Sequence, residues 1–135
     1  MGIFGERKYA TKMVGFKSSK FKVEIADTFG KMGKGLMGHR PLENNQGMLF
    51  VFEREGRHGF WMLNMKFSID IIWLDSNAKI VHIWHSAQPC TSIFSCPTVR
   101  PKSDASYVIE LKAGTASRLG MKRGDAFILG LGNKP

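Results

Sequence analysis

The residue that stands out chemically is Asp70, in Ser68-Ile-Asp-Ile-Ile-Trp-Leu74. Strand periodicity puts its carboxylate on the face of Ile72 and Leu74. A carboxylate among β-branched and aromatic neighbours is costly unless it is paired or hydrogen-bonded. The partner expected from the sequence is Arg40, whose guanidinium can grip a carboxylate through two hydrogen bonds. Such a pair would order the chain around Arg40 or anchor a ligand. Glu110, between Ile109 and Leu111, is expected to face outward by simple alternation. A pair of carboxylates, Asp70 with Glu110, or either with His85, could do general acid–base work if both reached one substrate. The spacing does not show that they do.

Other candidate groups have plainer readings. His82, His85, Cys90 and Cys96 are all potential zinc ligands, but they lack a Cys-x-x-Cys or His-x(3–5)-His knuckle. His82 and His85 are three apart on an expected strand and would face opposite ways. Cys90 and Cys96 share one loop. A disulfide there would close a small ring and stabilise by roughly 2–2.5 kcal/mol in a chain-entropy picture, whereas a reducing compartment would leave two thiols. The spacing leaves both states open. Met37, Met48, Met62 and Met65 are soft donors in principle, but Phe50, Phe60 and Trp61 lie among them. Packing of thioethers on aromatic rings is the simpler role. No metal or cofactor is expected. The chain has no phosphate-binding loop, dinucleotide fingerprint or nucleophile elbow.

The elements that must position these residues are short strands. Phe21, Val23 and Ile25 alternate with Lys20, Lys22 and Glu24, which predicts a strand with the charged set facing solvent. Asp27-Thr28 supplies a cap for a weak helix over Lys31–Met37, interrupted by glycines. Gly47–Phe52, Phe60–Leu63, Ser68–Leu74, Ile80–His85, Tyr107–Leu111 and Ala126–Leu129 read as further strands, with residues 68–85 as a hairpin. Residues 86–106 are polar and proline-containing, a long loop. Thr115 is placed to cap a helical turn ending at Leu119. The fold class is therefore mainly β: an antiparallel sandwich or partly closed barrel of six or seven short strands with two short helices. Residues 1–13 read as a flexible leader, and 14–135 as a single β-rich domain.

Charge is uneven along the chain. Residues 1–40 hold nine Lys/Arg against three Asp/Glu, residues 41–97 four against five, and residues 98–135 seven against three. The basic ends imply weak association with polyanions, nucleic acid or an anionic membrane. Lys17, Lys20 and Lys22 alternate with apolar residues, as on the solvent face of a strand, and no nucleic-acid module is recognisable. No apolar run approaches the roughly 18 residues of a transmembrane segment, and charges occupy the position of a signal peptide's apolar stretch. As written, the sequence reads as soluble and cytoplasmic.

The blocks Val23-Glu-Ile-Ala-Asp-Thr28, Lys34-Gly-Leu-Met-Gly-His-Arg-Pro-Leu42, Gly47-Met-Leu-Phe-Val-Phe52, Phe60-Trp-Met-Leu-Asn64, Ile69-Asp-Ile-Ile-Trp-Leu-Asp75, Val108-Ile-Glu-Leu111 and Arg123-Gly-Asp125 occur in an order that resembles domain-of-unknown-function family 192. The likeness covers about residues 21–130. It implies a compact, mostly β domain of jelly-roll type, and no established activity. Relatives often carry an export signal or anchor. The family's usual Asn-Thr after the Trp-Met-x unit is Asn64-Met65 in this chain.

Three functional readings follow. The first is a non-enzymatic small-ligand-binding or accessory module, with an apolar Trp/Met/Phe-lined site. Arg40, Trp61, Asn64 and Asp70 would be its ligand-binding residues, Trp61 as wall and the Arg40–Asp70 pair as anchor. The second is a carboxylate-based hydrolase or lyase. The third is a weak electrostatic binder of nucleic acid or anionic membrane.

Overall fold

A computed structural model describes residues 9–131. Seven strands form one sheet: β1 (Thr11–Phe16), β2 (Ser19–Ala26), β3 (Gln46–Gly56), β4 (Ile69–Leu74), β5 (Ile80–Ala87), β6 (Ala105–Lys112) and β7 (Ile128–Leu131). Their order across the sheet is β5-β4-β6-β3-β2-β1-β7. Two short helices, α1 (Phe29–Lys34) and α2 (Thr115–Arg118), complete the element list. An isolated bridge between Lys79 and Ala126 links the approaches to β5 and β7, the two edge strands. The sheet curls but does not close.

The mainly β class and the two helices match the sequence reading. One pairing does not follow the antiparallel expectation: β2 runs parallel to β3, with Glu24 opposite Met48 and Ala26 opposite Phe50. A parallel neighbour requires a crossover rather than a tight turn. Residues 27–45, with α1, make that crossover. Thr28 caps α1 as expected, its Oγ1 accepting from the Lys31 N–H at 3.2 Å. The helix ends at Lys34, earlier than Met37, because Gly35 takes φ 51°.

Four local expectations are corrected. Phe60–Leu63 is not a strand; it makes only single bridges, Phe60 to Val99 and Leu63 to Cys90. The segment read as a leader contains the start of β1 at Thr11, and residues 1–8 lie outside the described residues. Thr115 is the first residue of α2 rather than its cap; Gly114, at φ 93°, holds the cap position. The last strand starts at Ile128 rather than Ala126.

Each face of the sheet carries its own core. One is mostly aliphatic, with Val14, Val23, Leu49, Ile72, Leu74, Ile109 and Leu111 beside Phe16, Phe21, Phe127 and Met121. The other is rich in sulfur and aromatic rings: Met48, Phe50, Met62, Met65 and Trp73, with Phe52 and Phe60 packed against them. Strands buried on both sides read as continuous apolar runs, which is why β3 and β4 lack alternation. The sheet is tight at Gly47. A Cβ there would lie 2.5 Å from the Glu110 carbonyl oxygen and 2.7 Å from Leu111 Cδ2, so only glycine lets β3 and β6 approach.

Candidate functional site

Asp70 is completely buried, as its neighbours imply, but its partners are backbone N–H groups. Oδ1 accepts from Ser86 at 2.8 Å and Oδ2 from Ala116 at 2.8 Å. Ser86 has φ 47° and falls where the β4–β5 register shifts between Ile69 and Ile71. This β-bulge turns an extra N–H toward the carboxylate. Ala116 lies in the first turn of α2, where N–H groups lack helical acceptors. Asp70 thus ties the bulge and α2 to the sheet. Arg40 is exposed and forms no ion pair with it. The Arg40–Asp70 anchor expected from the sequence does not exist. Elementary chemistry explains the substitution: two well-placed amides satisfy a buried carboxylate as a guanidinium would.

Glu110 and Asp70 are on opposite sides of the sheet. Glu110 is in register with Ile71, whose side chain alternates with that of Asp70. Across the sheet, Glu24, Met48, Glu110 and Ile71 form one row on neighbouring strands, all on the sulfur- and aromatic-rich side. Glu24 and Glu110 are both buried, contrary to the outward positions expected for them. Alternation points them away from the aliphatic core, but the other face is also covered. His39 lies against Glu24, with Nε2 3.5 Å from Oε1, and its Nδ1 donates to the Arg40 carbonyl. Arg40 therefore contributes its backbone to this cluster. Period-two reasoning carried no signal for it, because burial of Glu24 depends on the crossover that brings His39 over β2.

On this same face a groove of about 1140 Å³ opens between α1, the 57–65 segment and the surface of β3. Its base is a set of rings. Phe60 meets Phe50 edge-on at 4.9 Å and Trp73 at 5.8 Å, and Phe52 stacks on His58 at 3.8 Å. Trp73 Nε1 donates to the His58 carbonyl at 2.7 Å, fixing the 57–60 segment to β4. Met32, Met37, Met62 and Met65 line the walls, with buried Glu110 reaching the groove as well. Its charged lining also includes Arg54, Arg57 and Arg100, with Lys34 on α1.

Of the four residues proposed from the sequence, Trp61 lines this groove and is 45% exposed. Arg40, Asn64 and Asp70 are not in its lining. Asn64 is exposed at φ 60°, and its N–H donates to the Cys90 carbonyl. Cys90 and Cys96 form a disulfide, with Cα atoms 5.7 Å apart. The ring it closes is bonded through Cys90 to Met62 and Asn64, so it braces the Trp61 wall. Of the two strand histidines, His82 sits against Trp73 at 5.3 Å. Burial, then Lys102 and Arg123, push its pKa below the ordinary 6.5. His85 is exposed and outside the groove. No described helix is long and apolar enough to cross a membrane.

Comparison with known proteins agrees with this architecture. The chain is 34% identical over 109 residues to a UPF0127 protein of Pyrococcus horikoshii, covering 77% of this chain and 84% of that one. It is 36% identical over 109 residues to one of Pyrococcus abyssi, covering 77% and 82%. A crystal structure from Sinorhizobium meliloti, described provisionally as a transcription regulator, matches with TM-score 0.81 at 31% identity over 91% of this chain and 96% of that one. One from Novosphingobium aromaticivorans, of unknown function, matches with TM-score 0.78 at 26% identity over 94% and 89%. Residues 11–129 match the sequence model of domain-of-unknown-function family 192, described as an uncharacterised group, and the chain belongs to that family.

Proposed function

We propose that this protein is a non-enzymatic binding or accessory module, and that its ligand site is the groove over β3. The observation that carries the reading is the groove itself: an open concavity of about 1140 Å³ on a bed of packed rings, with charged side chains around them. Small-ligand sites of roughly 300–1,000 Å³ are built this way, and methionine walls adapt to a ligand's shape. Trp61 serves as wall, as the sequence suggested. The anchoring polar groups are Glu110 at the inner end and the arginines at the outer end.

The competing readings have less support. A hydrolase or lyase using Asp70 and Glu110 would need both at one substrate, and they point from opposite faces with Asp70 committed to two backbone amides. Nucleic-acid recognition, suggested by the basic ends and by the description of the Sinorhizobium protein, lacks a reading element. Among the described residues the helices have six and four residues, too short to lie along a major groove. Weak polyanion association through exposed Lys17, Lys20 and Lys22 remains in keeping with net charge +9.

The test uses Gly33, which lines the groove on α1 and whose added Cβ would meet nothing within 4 Å. A Gly33→Phe variant adds a ring at a lining position whose Cβ meets no clash, and gains helix propensity. Nile red, a neutral apolar dye, is expected to bind the native protein with enhanced emission and to bind the variant at least about 5-fold more weakly, with no loss of Tm. Equal dye binding by both proteins would refute the assignment.

A further inference from the structure

The two ends of the groove differ in charge. Resting on the reading of the groove as a ligand site, we infer that its ligand is a free amphiphilic anion, with a carboxylate or phosphate head at Arg54, Arg57 and Arg100 and an acyl or aryl body over Phe52 and Phe60.

Three observations support this assignment. All three arginines are exposed, line the groove and form no ion pair with any described residue. They are also held together. Arg100 Nη1 donates to the Arg57 carbonyl at 3.4 Å, and His58, stacked on Phe52, donates through Nε2 to the Arg54 carbonyl at 2.9 Å. Gly59 makes the approach of Arg100 feasible, since a Cβ there would sit 3.0 Å from Nη1 and 3.1 Å from Cγ. The head site is therefore continuous with the ring bed that would take the body.

The third observation is the opposite end. Glu110 is in register with Met48 of β3, and Arg54 lies six residues further along that strand, up to roughly 20 Å away. Burial at the inner end would strip an anionic head of its water, whereas the arginines are exposed, so the ligand is oriented head-outward. Of the exposed acids at the groove, Asp27 faces Lys31 at 3.9 Å, and Glu53 alternates with Arg54 on β3. Guanidinium groups suit carboxylate and phosphate heads because they offer paired donors in one plane. A free molecule fits better than a bilayer lipid, because the concavity is of single-ligand size.

Displacement of Nile red by decanoate, decyl phosphate, decanol and decyltrimethylammonium, each below its micellar concentration, tests the inference. The two anions are expected to compete at about 10-fold lower concentration than decanol or the cation, with a preference that shrinks as salt rises. In an Arg54→Gln, Arg57→Gln variant the ratio of decanoate to decanol affinity is expected to fall towards 1. Equal competition by decanol or the cation overturns the anionic head and leaves the groove reading standing. Failure of Nile red itself to bind overturns both. An unchanged ratio in the arginine variant overturns the placement of the head. Phosphatidylglycerol vesicles that pull down native and Gly33→Phe proteins alike, without competition by decanoate, would assign the anion preference to a bilayer and overturn the free amphiphile.

Discussion

The two faces of the sheet bury acidic groups in different ways. On the aliphatic face Asp70 is wholly consumed by structure, since each oxygen has a backbone N–H at 2.8 Å. On the other face Glu24, Glu110 and His39 are buried, and Glu110 lines an open groove. The first face is lined mostly with branched side chains, which pack with few rotamers, together with Phe16, Phe21, Phe127 and Met121. The second is lined with methionines and rings, which adapt. Burial of a carboxylate therefore does not by itself mark a site. What surrounds it, and whether a ligand can approach, decides.

The largest effect that can break this contrast is at Asp70. Asp70→Ala takes the acceptor from the Ser86 N–H and the buried Ala116 N–H and is expected to cost roughly 3–5 kcal/mol. Asp70→Asn keeps one acceptor and should cost about half as much. Chemical denaturation measures both, and a loss below about 1 kcal/mol for the alanine variant would contradict the structural role. Next is the Cys90–Cys96 disulfide, which closes a six-residue separation. Reduction by a dithiol is expected to cost about 2 kcal/mol. It should weaken Nile red binding as well, because the ring braces Met62 and Asn64. Stability loss with unaltered dye affinity would separate the loop from the groove.

The smallest effect concerns His82. Burial and the nearby Lys102 and Arg123 cations make its folded pKa lower than its ordinary 6.5. Between about pH 6.5 and the folded pKa the unfolded chain then binds more protons than the folded one, so stability falls as pH drops through that window and levels off below it. His82→Gln should flatten the profile of Tm against pH between 7 and 5. An identical slope in the variant would remove His82 as its cause.

Much of the fold was legible. Alternation located β2, continuous apolar runs located β3 and β4, and Thr28 announced α1. Seven ordered blocks disclosed the family. What escaped was non-local. The parallel β2–β3 pair depends on a crossover of residues 27–45, which no local pattern encodes. Glu24 and Glu110 look outward by period two, and become buried only because other segments cover that face. Asp70 was correctly read as buried, yet its bulge and helix partners are 16 and 46 residues away and are backbone groups that leave no trace in side-chain identity. Trp61, singled out in the sequence, lines the groove; the arginines were not singled out, because Arg57 and Arg100 converge from separate loops.

The most direct measurement uses the methionines as reporters. With [methyl-13C]methionine protein titrated with decanol, the methyl signals of Met32, Met37 and Met62, which line the groove, should move together along one saturation curve. That of Met121, buried in the opposite core, should stay fixed. A saturable shift at Met121 with the groove methionines unmoved would contradict the assignment of the binding face.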